Sequence, residues 1–318
     1  MSPLSWLTQI LEVIAALAVA PLLMGWVAQC RAWLQNRSAP SLLQPYRTIR
    51  KLFHKDAVLA EQASALFRFA PYIVFGAMVC MTAIIPSMGT RLPLSDAADA
   101  IALVGLLATA RMFMALAAMD VGTAFGSLGA RREMMVGFLA EPALLMVIFV
   151  AALISSSTAL PAIADNLATQ TLGLYPSLAF TAVAFLLVLL AENARIPVDN
   201  PATHLELTMI HEAMLLEYSA RHLALMEWAA ALKLFNYACI GFALFVPWGV
   251  VTTGTAENPL VLLAALPILV LKLAIAGAGL ALVETVSAKL RVFRAPEFLA
   301  AAFMLAVLGL LVHLLLGA

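Results

Sequence analysis

Long apolar runs alternate with short polar segments along most of the chain. Eight of these runs approach or exceed 20 residues: Leu4–Cys30, Phe69–Met88, Ala97–Met119, Met134–Ser157, Leu174–Glu192, Leu232–Val251, Pro259–Val286 and Glu297–Leu316. A helix of about 20 residues crosses the roughly 30 Å hydrocarbon core of a bilayer. The runs lack the period-two alternation of barrel strands, and only helices or closed barrels satisfy the backbone in lipid. The pattern therefore predicts an all-α, polytopic integral membrane bundle of about eight transmembrane helices.

Composition supports this interpretation. Hydrophobic residues make up 64% of the 318 positions and charged residues 11%, and the mean hydropathy is +1.00. A soluble domain is roughly half apolar and a quarter charged. We expect one membrane domain over residues 1–318. The first run is expected to be a span rather than a cleavable signal, because no Lys or Arg precedes it and Glu12 interrupts it.

The distribution of Lys and Arg predicts an orientation. Arg91 is the one basic residue in the connections on the opposite side, whereas 14 of the 18 basic residues fall in alternate connections: Arg31, Arg37, Arg47, Arg50, Lys51, Lys55, Arg68, Arg131, Arg132, Arg195, Arg221, Lys289, Arg291 and Arg294. By the positive-inside rule these connections face the cytoplasm, and both termini lie on the outer face.

The residues that could bind cofactors are scattered. Cys30, Cys80 and Cys239 lie within or at the ends of different spans, so we interpret them as small apolar packing residues. His204 and His211 could share a helix face, but no HExxH spacing or third ligand accompanies them. We expect no metal or redox cofactor bound by this chain. The zero net charge also argues against a nucleic-acid partner.

The segment from Ser41 to Val58 has the pattern of an amphipathic helix. Apolar residues recur every three or four positions opposite Arg47, Arg50 and Lys51. Such a helix would lie in the cytoplasmic interface. Two interpretations remain open: a lipid-anchoring helix, or one wall of a surface that docks a partner protein.

The segment from 192 to 227 is unusually acidic for this chain. It holds six of the 18 acidic residues, namely Glu192, Asp199, Glu206, Glu212, Glu217 and Glu227. These lie on the side that otherwise carries cations. A solvated surface would explain them, and so would an acidic loop that docks a partner and admits protons.

Several charged residues fall inside the predicted spans, where an unpaired charge costs several kcal/mol. Glu141, next to Pro142, is a candidate proton-relay group or a hydrogen-bonded structural residue. Glu192 and Arg195 lie one turn apart and could form a structural ion pair. Glu284 and Lys272 share a span but lie about three turns apart, so each needs another partner. Glu12 and Asp120 are secondary candidates.

Three loop motifs carry a resemblance to a known family. They are Asn36-Arg37-x-x-Pro40-x-Leu42-Leu43-Gln44-Pro45-Tyr46-Arg47 with Lys51-Leu52-Phe53, Arg131-Arg132-Glu133 leading to Glu141-Pro142, and Glu192-x-x-Arg195-x-Pro197-x-Asp199 followed by Glu206-Leu207 and Glu217-Tyr218-Ser219. Together they resemble the subunit-1 family of proton-pumping NADH:quinone oxidoreductase. They are still more similar to the membrane anchor subunit of formate hydrogenlyase and other group 4 hydrogenases.

This resemblance implies a membrane anchor and coupling subunit in a bacterial or archaeal cytoplasmic membrane. The implied partners are hydrophilic hydrogenase-like large and small subunits, an iron–sulfur subunit and antiporter-like membrane subunits, with iron–sulfur clusters and nickel–iron carried by those partners. Departures from the family loops, such as Val198, Ala202 and His204, favour the hydrogenase-like branch or a divergent branch over a quinone chamber. A quinone-site subunit, a stand-alone secondary transporter and a membrane anchor that has lost coupling remain alternatives.

The resemblance and the charge pattern together assign candidate roles. The candidates for proton relay or coupling are Glu141, Glu192, Arg195, Asp199, Glu206, Glu217, Glu227, Glu284 and Lys272. The candidates for partner docking are Arg37, Gln44, Arg47, Arg50 and Lys51.

Overall fold

The computed structural model describes residues 3–60, 62–90, 92–169, 176–199, 209–250, 259–288 and 294–316. Within these ranges the chain forms eleven α-helices and no β-strand: α1 (Pro3–Leu34), α2 (Gln44–Phe53), α3 (Ala65–Ile84), α4 (Ala100–Asp120), α5 (Ala124–Ser155), α6 (Leu160–Thr169), α7 (Pro176–Glu192), α8 (His211–Leu215), α9 (Ala220–Phe245), α10 (Pro259–Val286) and α11 (Ala295–Leu316).

The multi-pass membrane fold is confirmed. Among the described residues, seven helices are long and apolar enough to cross a membrane, namely α1, α3, α4, α5, α9, α10 and α11. The predicted fifth span corresponds to α7, an apolar helix of 17 residues. The eight helices alternate in direction, so α1 begins and α11 ends at the same end of the bundle, called here the N-terminal end. The other end, where α2 and α8 lie, is called the basic end.

Helices α1, α3, α4, α5 and α9 pack around a common apolar core. Helix α10 packs mainly on α1, and α11 lies against α7 and α5. Small residues permit the close contacts that hold membrane helices together. For example, a Cβ on Gly309 of α11 would lie 2.8 Å from Cγ2 of Thr181 on α7.

Helix α5 begins ten residues before the predicted span. The Thr123 hydroxyl caps it by accepting a hydrogen bond from the Gly126 amide at 3.3 Å. Arg131 and Arg132, predicted to lie in a loop, are therefore helical. The Arg132 side chain donates a hydrogen bond to the Met209 carbonyl at 3.0 Å, in the segment just before α8. Because this contact satisfies the guanidinium, the charged turn can continue the helix.

Helix α2 is the predicted amphipathic helix, although it spans 44–53 rather than 41–58. It begins at Gln44 with a proline in its first turn, where the missing amide costs nothing. Ile49 is buried, and the Phe53 ring meets Trp228 of α9 edge-on, with 6.5 Å between ring centroids. Gly25 of α1 lies so close to the Leu42 carbonyl that any side chain there would overlap it. The helix is thus packed onto α1 and α9.

Part of the predicted acidic segment is helical. After α7 comes a turn over residues 193–199, and α8 and the start of α9 occupy most of the later part. Glu227 is consequently a helical residue of α9 rather than a loop residue. Glu206 and His204 lie outside the described residues.

A buried charge cluster beside a charged cavity

Three carboxylates from two helices converge on the guanidinium of Arg111 on α4. Its Nη1 lies 2.5 Å from Oε1 of Glu141, and its Nε lies 3.4 Å from Oε1 of Glu133, both on α5. Its Nη2 donates to Oε1 of Glu192 at the end of α7. Arg111 and Glu192 are almost fully buried. This arrangement satisfies a cation in the middle of the bundle, where an unpaired one would be costly.

Lys233 of α9 joins the same cluster. Its Nζ lies 3.0 Å from Oε2 of Glu192, and the fully buried Tyr237 lies one turn further along α9 beside the same carboxylate. The cluster therefore contains two cations, Arg111 and Lys233, and three carboxylates. With every group ionised, it carries one negative charge more than its cations balance.

The spacing of residues on α5 creates room for Arg111. Glu133, Gly137 and Glu141 recur every four positions, so they share one face of the helix. A Cβ on Gly137 would lie 2.7 Å from Cδ of Arg111 and would overlap its Nη1. Glycine at this position lets the guanidinium lie flat against α5 between the two glutamates.

Glu141 differs from the rest of the cluster in its exposure. Its side chain is 32% exposed, whereas that of Glu192 is 1% exposed. On the neighbouring turns of α5, Phe138 is 79% exposed and Met134 is 55% exposed. Glu141 therefore connects the buried cluster to an open apolar face of the bundle.

A second ion-pair group lies nearer the basic end. The buried Glu284 of α10 is 3.2 Å from Nη1 of Arg195 and 3.5 Å from Nη1 of Arg31. The predicted Glu192–Arg195 pair is therefore wrong. Helix α7 ends at Glu192, and Ala194 then adopts a left-handed conformation with φ of 50°, which is uncommon for a non-glycine residue. That turn directs Arg195 toward α10, while Glu192 faces Arg111.

A cavity of about 580 Å³ separates the two groups. Nine of its 18 described lining residues are charged: Arg31, Arg37, Glu192, Arg195, Asp199, Glu212, Glu227, Lys233 and Glu284. Pockets for small apolar ligands have similar volumes but mostly apolar walls. The charged wall of this cavity is instead suited to water.

Asp199 and His211 lie in the wall of the cavity, and His211 also lines a second cavity closer to the buried cluster. The buried Asp199 accepts hydrogen bonds through Oδ2 from the amides of Ile210 at 3.2 Å and His211 at 3.0 Å, which fixes the start of α8. Burial, together with the nearby Lys233 ammonium, lowers the pKa of His211 to about 4. His211 is therefore neutral near pH 7.

A smaller cavity of about 30 Å³ lies on the inner side of His211. Its lining includes His211, Arg111 and Lys233, so it touches both the large cavity's wall and the buried cluster. A polar cavity needs roughly 10–15 Å³ of such volume to hold one water molecule. There is room for about two water molecules between the cavity and the cluster.

The structure places the predicted site residues in three groups. Glu141 and Glu192 belong to the cluster, and Arg37, Arg195, Asp199, Glu227 and Glu284 line the cavity. Gln44, Arg47, Arg50 and Lys51 are exposed on or beside α2. Glu217 is half-buried and does not appear among the described cavity-lining residues.

Lys272 lies apart from these groups. Its Nζ donates to the Val246 carbonyl at 2.6 Å and lies 5.6 Å from the centroid of the Phe242 ring. Both contacts are near the N-terminal end of the bundle. As expected from its distance to Glu284, Lys272 finds its partners on another helix.

Sequence reasoning did not assign roles to Arg111, Glu133, Lys233 or Tyr237. A signal was available, because Arg111 and Lys233 are cations within apolar runs and such residues need nearby carboxylates. What the sequence could not supply was the register that brings α4, α5, α7 and α9 together. In the described part of the chain, no group of three or more His, Cys, Asp or Glu residues has a geometry suited to a metal ion.

Comparison with known proteins decides the family. The sequence model of the NADH dehydrogenase family matches residues 8–315 of this chain. The chain belongs to the NADH dehydrogenase family. The predicted resemblance to the complex I subunit-1 family is therefore confirmed, and the protein is a complex I-like membrane subunit.

Two relatives within the NADH dehydrogenase family are components of hydrogenase systems. Formate hydrogenlyase subunit 4 of Escherichia coli strain K12 is 34% identical over 306 residues, which cover 96% of this chain and 98% of the relative. Hydrogenase-4 component C of the same strain is 35% identical over 239 residues, which cover 75% of this chain and 74% of the relative. The predicted hydrogenase-like branch is thus supported by relatives as well as by loop motifs.

The fold also matches a solved structure. A chain from the membrane-bound sulfane sulfur reductase, an archaeal respiratory membrane complex, superposes with a TM-score of 0.79 at 22% identity. The match covers 96% of this chain and 98% of that chain. At this identity the likeness concerns the fold.

Proposed function

We propose that this chain is the membrane anchor and coupling subunit of a complex I-like, ion-translocating oxidoreductase of the group 4 hydrogenase type. The two hydrogenase-system relatives support this assignment. Redox chemistry takes place in a peripheral arm whose subunits carry the iron–sulfur clusters and the nickel–iron centre. This chain converts that chemistry into movement of protons, or of sodium ions, through neighbouring antiporter-like membrane subunits.

The excess carboxylate of the Arg111 cluster is the observation that carries this proposal. Two cations face three carboxylates in the middle of the membrane bundle. A surplus charge in such surroundings costs several kcal/mol unless a proton, a cation or water compensates it. A small shift of Arg111 or Lys233 would change how well each carboxylate is compensated, and the cluster would take up or release a proton.

The cavity provides a path to this cluster from the basic end. Protons enter among the charged side chains, pass His211, and reach Arg111 and Lys233 through the water-sized cavity. The positive-inside rule places this end in the cytoplasm of a bacterial or archaeal cell, with both termini on the outer face of the cytoplasmic membrane. Rearrangement of the 193–199 turn by the peripheral arm would alter the Arg195–Glu284 pair at the cavity wall.

Two surfaces fit the two kinds of partner. The exposed cations of α2, Arg47, Arg50 and Lys51, face away from the bundle at the basic end and suit a hydrophilic subunit. The α5 face with Phe138 and Glu141 suits a second membrane subunit, because a carboxylate open to lipid is expensive. A change in the protonation of the cluster would then act on that subunit through Glu141.

A quinone-site subunit of an NADH:quinone oxidoreductase is the second candidate, since the volume of the cavity lies within the range of ligand pockets. Its charged wall favours the hydrogenase-type assignment. Hydrogen evolution or uptake and electron transfer by the purified complex, measured with and without quinone analogues, separate the two. A hydrogenase-type complex evolves or consumes hydrogen and is insensitive to quinone analogues, whereas a quinone-site subunit makes the complex sensitive to them.

Copurification tests the assignment itself. The chain is tagged, expressed in its own cells and purified in a mild detergent. We expect iron–sulfur and hydrogenase-like large subunits in stoichiometric amounts. Recovery of the chain alone, with solute uptake in vesicles, would instead identify a stand-alone secondary transporter.

A further inference from the structure

A second buried carboxyl group lies near the N-terminal end of the bundle, remote from the Arg111 cluster. Glu12 of α1 is completely buried. Its Oε1 accepts hydrogen bonds from the amides of Ser87 at 3.0 Å and Met88 at 2.7 Å, and from the Ser87 hydroxyl. Its Oε2 has no hydrogen-bond partner among the described residues. The three hydrogen bonds from Ser87 and Met88 thus all reach the same oxygen.

The hydrogen bonding of Glu12 differs from that of a carboxylate in a structural ion pair. An ionised carboxylate distributes its charge over two oxygens, and both need donors when they are buried. No described cation forms a salt bridge with Glu12. The arrangement instead suits a neutral acid, whose carbonyl oxygen accepts the three hydrogen bonds and whose other oxygen carries the proton.

A small cavity beside Ser87 offers a route to water. Its volume is about 10 Å³, close to that of one water molecule, and its lining includes Ser87, Cys239 and Lys272. The lining also includes Gly249 and Val250, in the connection that follows α9 at the N-terminal end. Glu12 and Lys272 both lie within electrostatic range of the Cys239 thiol. The Ser87 hydroxyl and the Lys272 ammonium thus belong to residues that line one water-sized space, and Glu12 is joined to it through its hydrogen bond with Ser87.

Two buried polar side chains, Thr82 and Asn236, lie between this place and the Arg111 cluster. Asn236, one turn beyond Lys233 on α9, donates to the Met78 carbonyl at 3.1 Å and accepts from the Thr82 hydroxyl at 2.9 Å. Met78 also lines the inner cavity that reaches Arg111 and Lys233. Thr82 lies near the end of α3, just before the loop that binds Glu12. Polar side chains therefore follow the α3–α9 contact from the cluster toward Ser87.

We propose that Glu12 is a proton-exchange site near the N-terminal end of the bundle, reached from the aqueous phase through the cavity between Ser87, Cys239 and Lys272. An O–H bond forms at Oε2 when a proton arrives from the side of Asn236 and Thr82, and it breaks when that proton passes to water at the N-terminal end. This inference rests on the proposed function for its direction, because coupling at the Arg111 cluster supplies the proton. The site itself is defined by the Glu12 geometry alone.

Chemical labelling tests the site without relying on pumping. A hydrophobic carbodiimide reacts with protonated carboxyl groups in apolar surroundings and spares ionised ones. The assembled complex in vesicles is treated, and peptides are analysed by mass spectrometry. We expect a label on Glu12 and none on Asp99, whose pKa is lowered by hydrogen bonds from Thr158 and Ile101. An unlabelled Glu12 would overturn the proposal.

Substitution then tests the role of the site. Glu12→Gln keeps an oxygen for Ser87 and Met88 but cannot exchange a proton, so we expect normal subunit content and fewer ions translocated per electron, because the path through this chain is lost while the neighbouring membrane subunits remain. The matched control is Asp99→Asn, which replaces a carboxylate by an amide at the same end and still caps α4; it should translocate normally. Normal translocation by Glu12→Gln, or its failure to assemble together with an unlabelled wild-type Glu12, would overturn the proposal. If the wild-type complex does not translocate ions, the proposed function fails and the labelling alone decides the protonation of Glu12.

Discussion

Nη1 of Arg111 and Oε1 of Glu141 lie 2.5 Å apart and join a buried cation to a carboxylate at the surface of the bundle. The guanidinium is shared with Glu133 and Glu192, so a change at either end of the cluster affects the other carboxylates. Glu141 is the member that a neighbouring membrane subunit could contact. The pair therefore links the cavity at the basic end with the lateral face of the protein.

Substitution of Gly137 tests the packing on which the cluster depends. In Gly137→Ala the new methyl group would overlap the guanidinium of Arg111, which must move away from Glu133 and Glu141. We expect a lower melting temperature in detergent and a loss of about 3–5 kcal/mol, comparable to breaking a buried ion pair. Gly105→Ala on α4 is the control, because nothing lies within 4 Å of its Cβ. It should be neutral or stabilising by up to about 1 kcal/mol. Equal stability of the two variants would contradict the described position of Arg111.

His211 predicts a pH-dependent stability. Burial beside Lys233 lowers its pKa from 6.5 to about 4, so between these values the unfolded chain binds a proton that the folded chain does not. The contribution of neutral His211 to the free energy of unfolding is therefore fully present above about pH 6.5 and is lost as the pH decreases toward 4. Melting temperatures measured between pH 7.5 and 4.5 should decrease less in His211→Gln than in the wild type. Parallel curves for the two proteins would show that His211 does not titrate differently on unfolding.

The spans could be predicted from the sequence because apolar length alone selects a helix in lipid. Their ends could not, since polar residues continue a helix when neighbours satisfy them, as Arg132 of α5 does through the Met209 carbonyl. Helix α2 in contrast ends before its amphipathic pattern does, at Phe53, whose ring contacts Trp228 of α9.

The candidate site, like the helices, could be predicted only in part from the sequence. Hydropathy identified Glu141, Glu192 and Glu284 as costly groups that need partners, which the structure supplies. One-turn spacing suggested that Glu192 would pair with Arg195, yet the turn at Ala194 separates them. The Arg111 cluster depends on the relative registers of four helices, and neither periodicity nor charge counting determines those registers.

The basic face of α2 predicts salt-sensitive docking of the peripheral arm. Replacing Arg47, Arg50 and Lys51 together by glutamate should release the arm from membranes at moderate salt, because the three side chains are exposed and their attraction is screened. The washed membranes are assayed for arm subunits by immunoblot. Arg68→Glu, an exposed cation at the start of α3, is the control and should retain the arm. Retention of the arm by the triple variant at every salt concentration would show that this face contacts lipid instead.

Orientation is tested by thiol labelling in intact cells. In a background with exposed Cys80 replaced by alanine, Thr169→Cys at the end of α6 should react with an impermeant reagent added outside. Leu216→Cys, which is exposed at the basic end just after α8, should react only after the cells are opened. The reverse pattern would place the basic end outside and contradict the proposed direction of proton entry.

The central claim, that the Arg111 cluster couples redox chemistry to ion movement, is tested most directly at Glu141. The amide of Glu141→Gln is nearly isosteric, can still accept a hydrogen bond from Arg111 and cannot exchange a proton. Proton uptake or release by vesicles is measured alongside electron transfer and subunit content, with Glu141→Ala as the comparison. The account predicts full assembly of the Gln variant with loss of ion translocation. Normal translocation by a fully assembled Gln variant would contradict it.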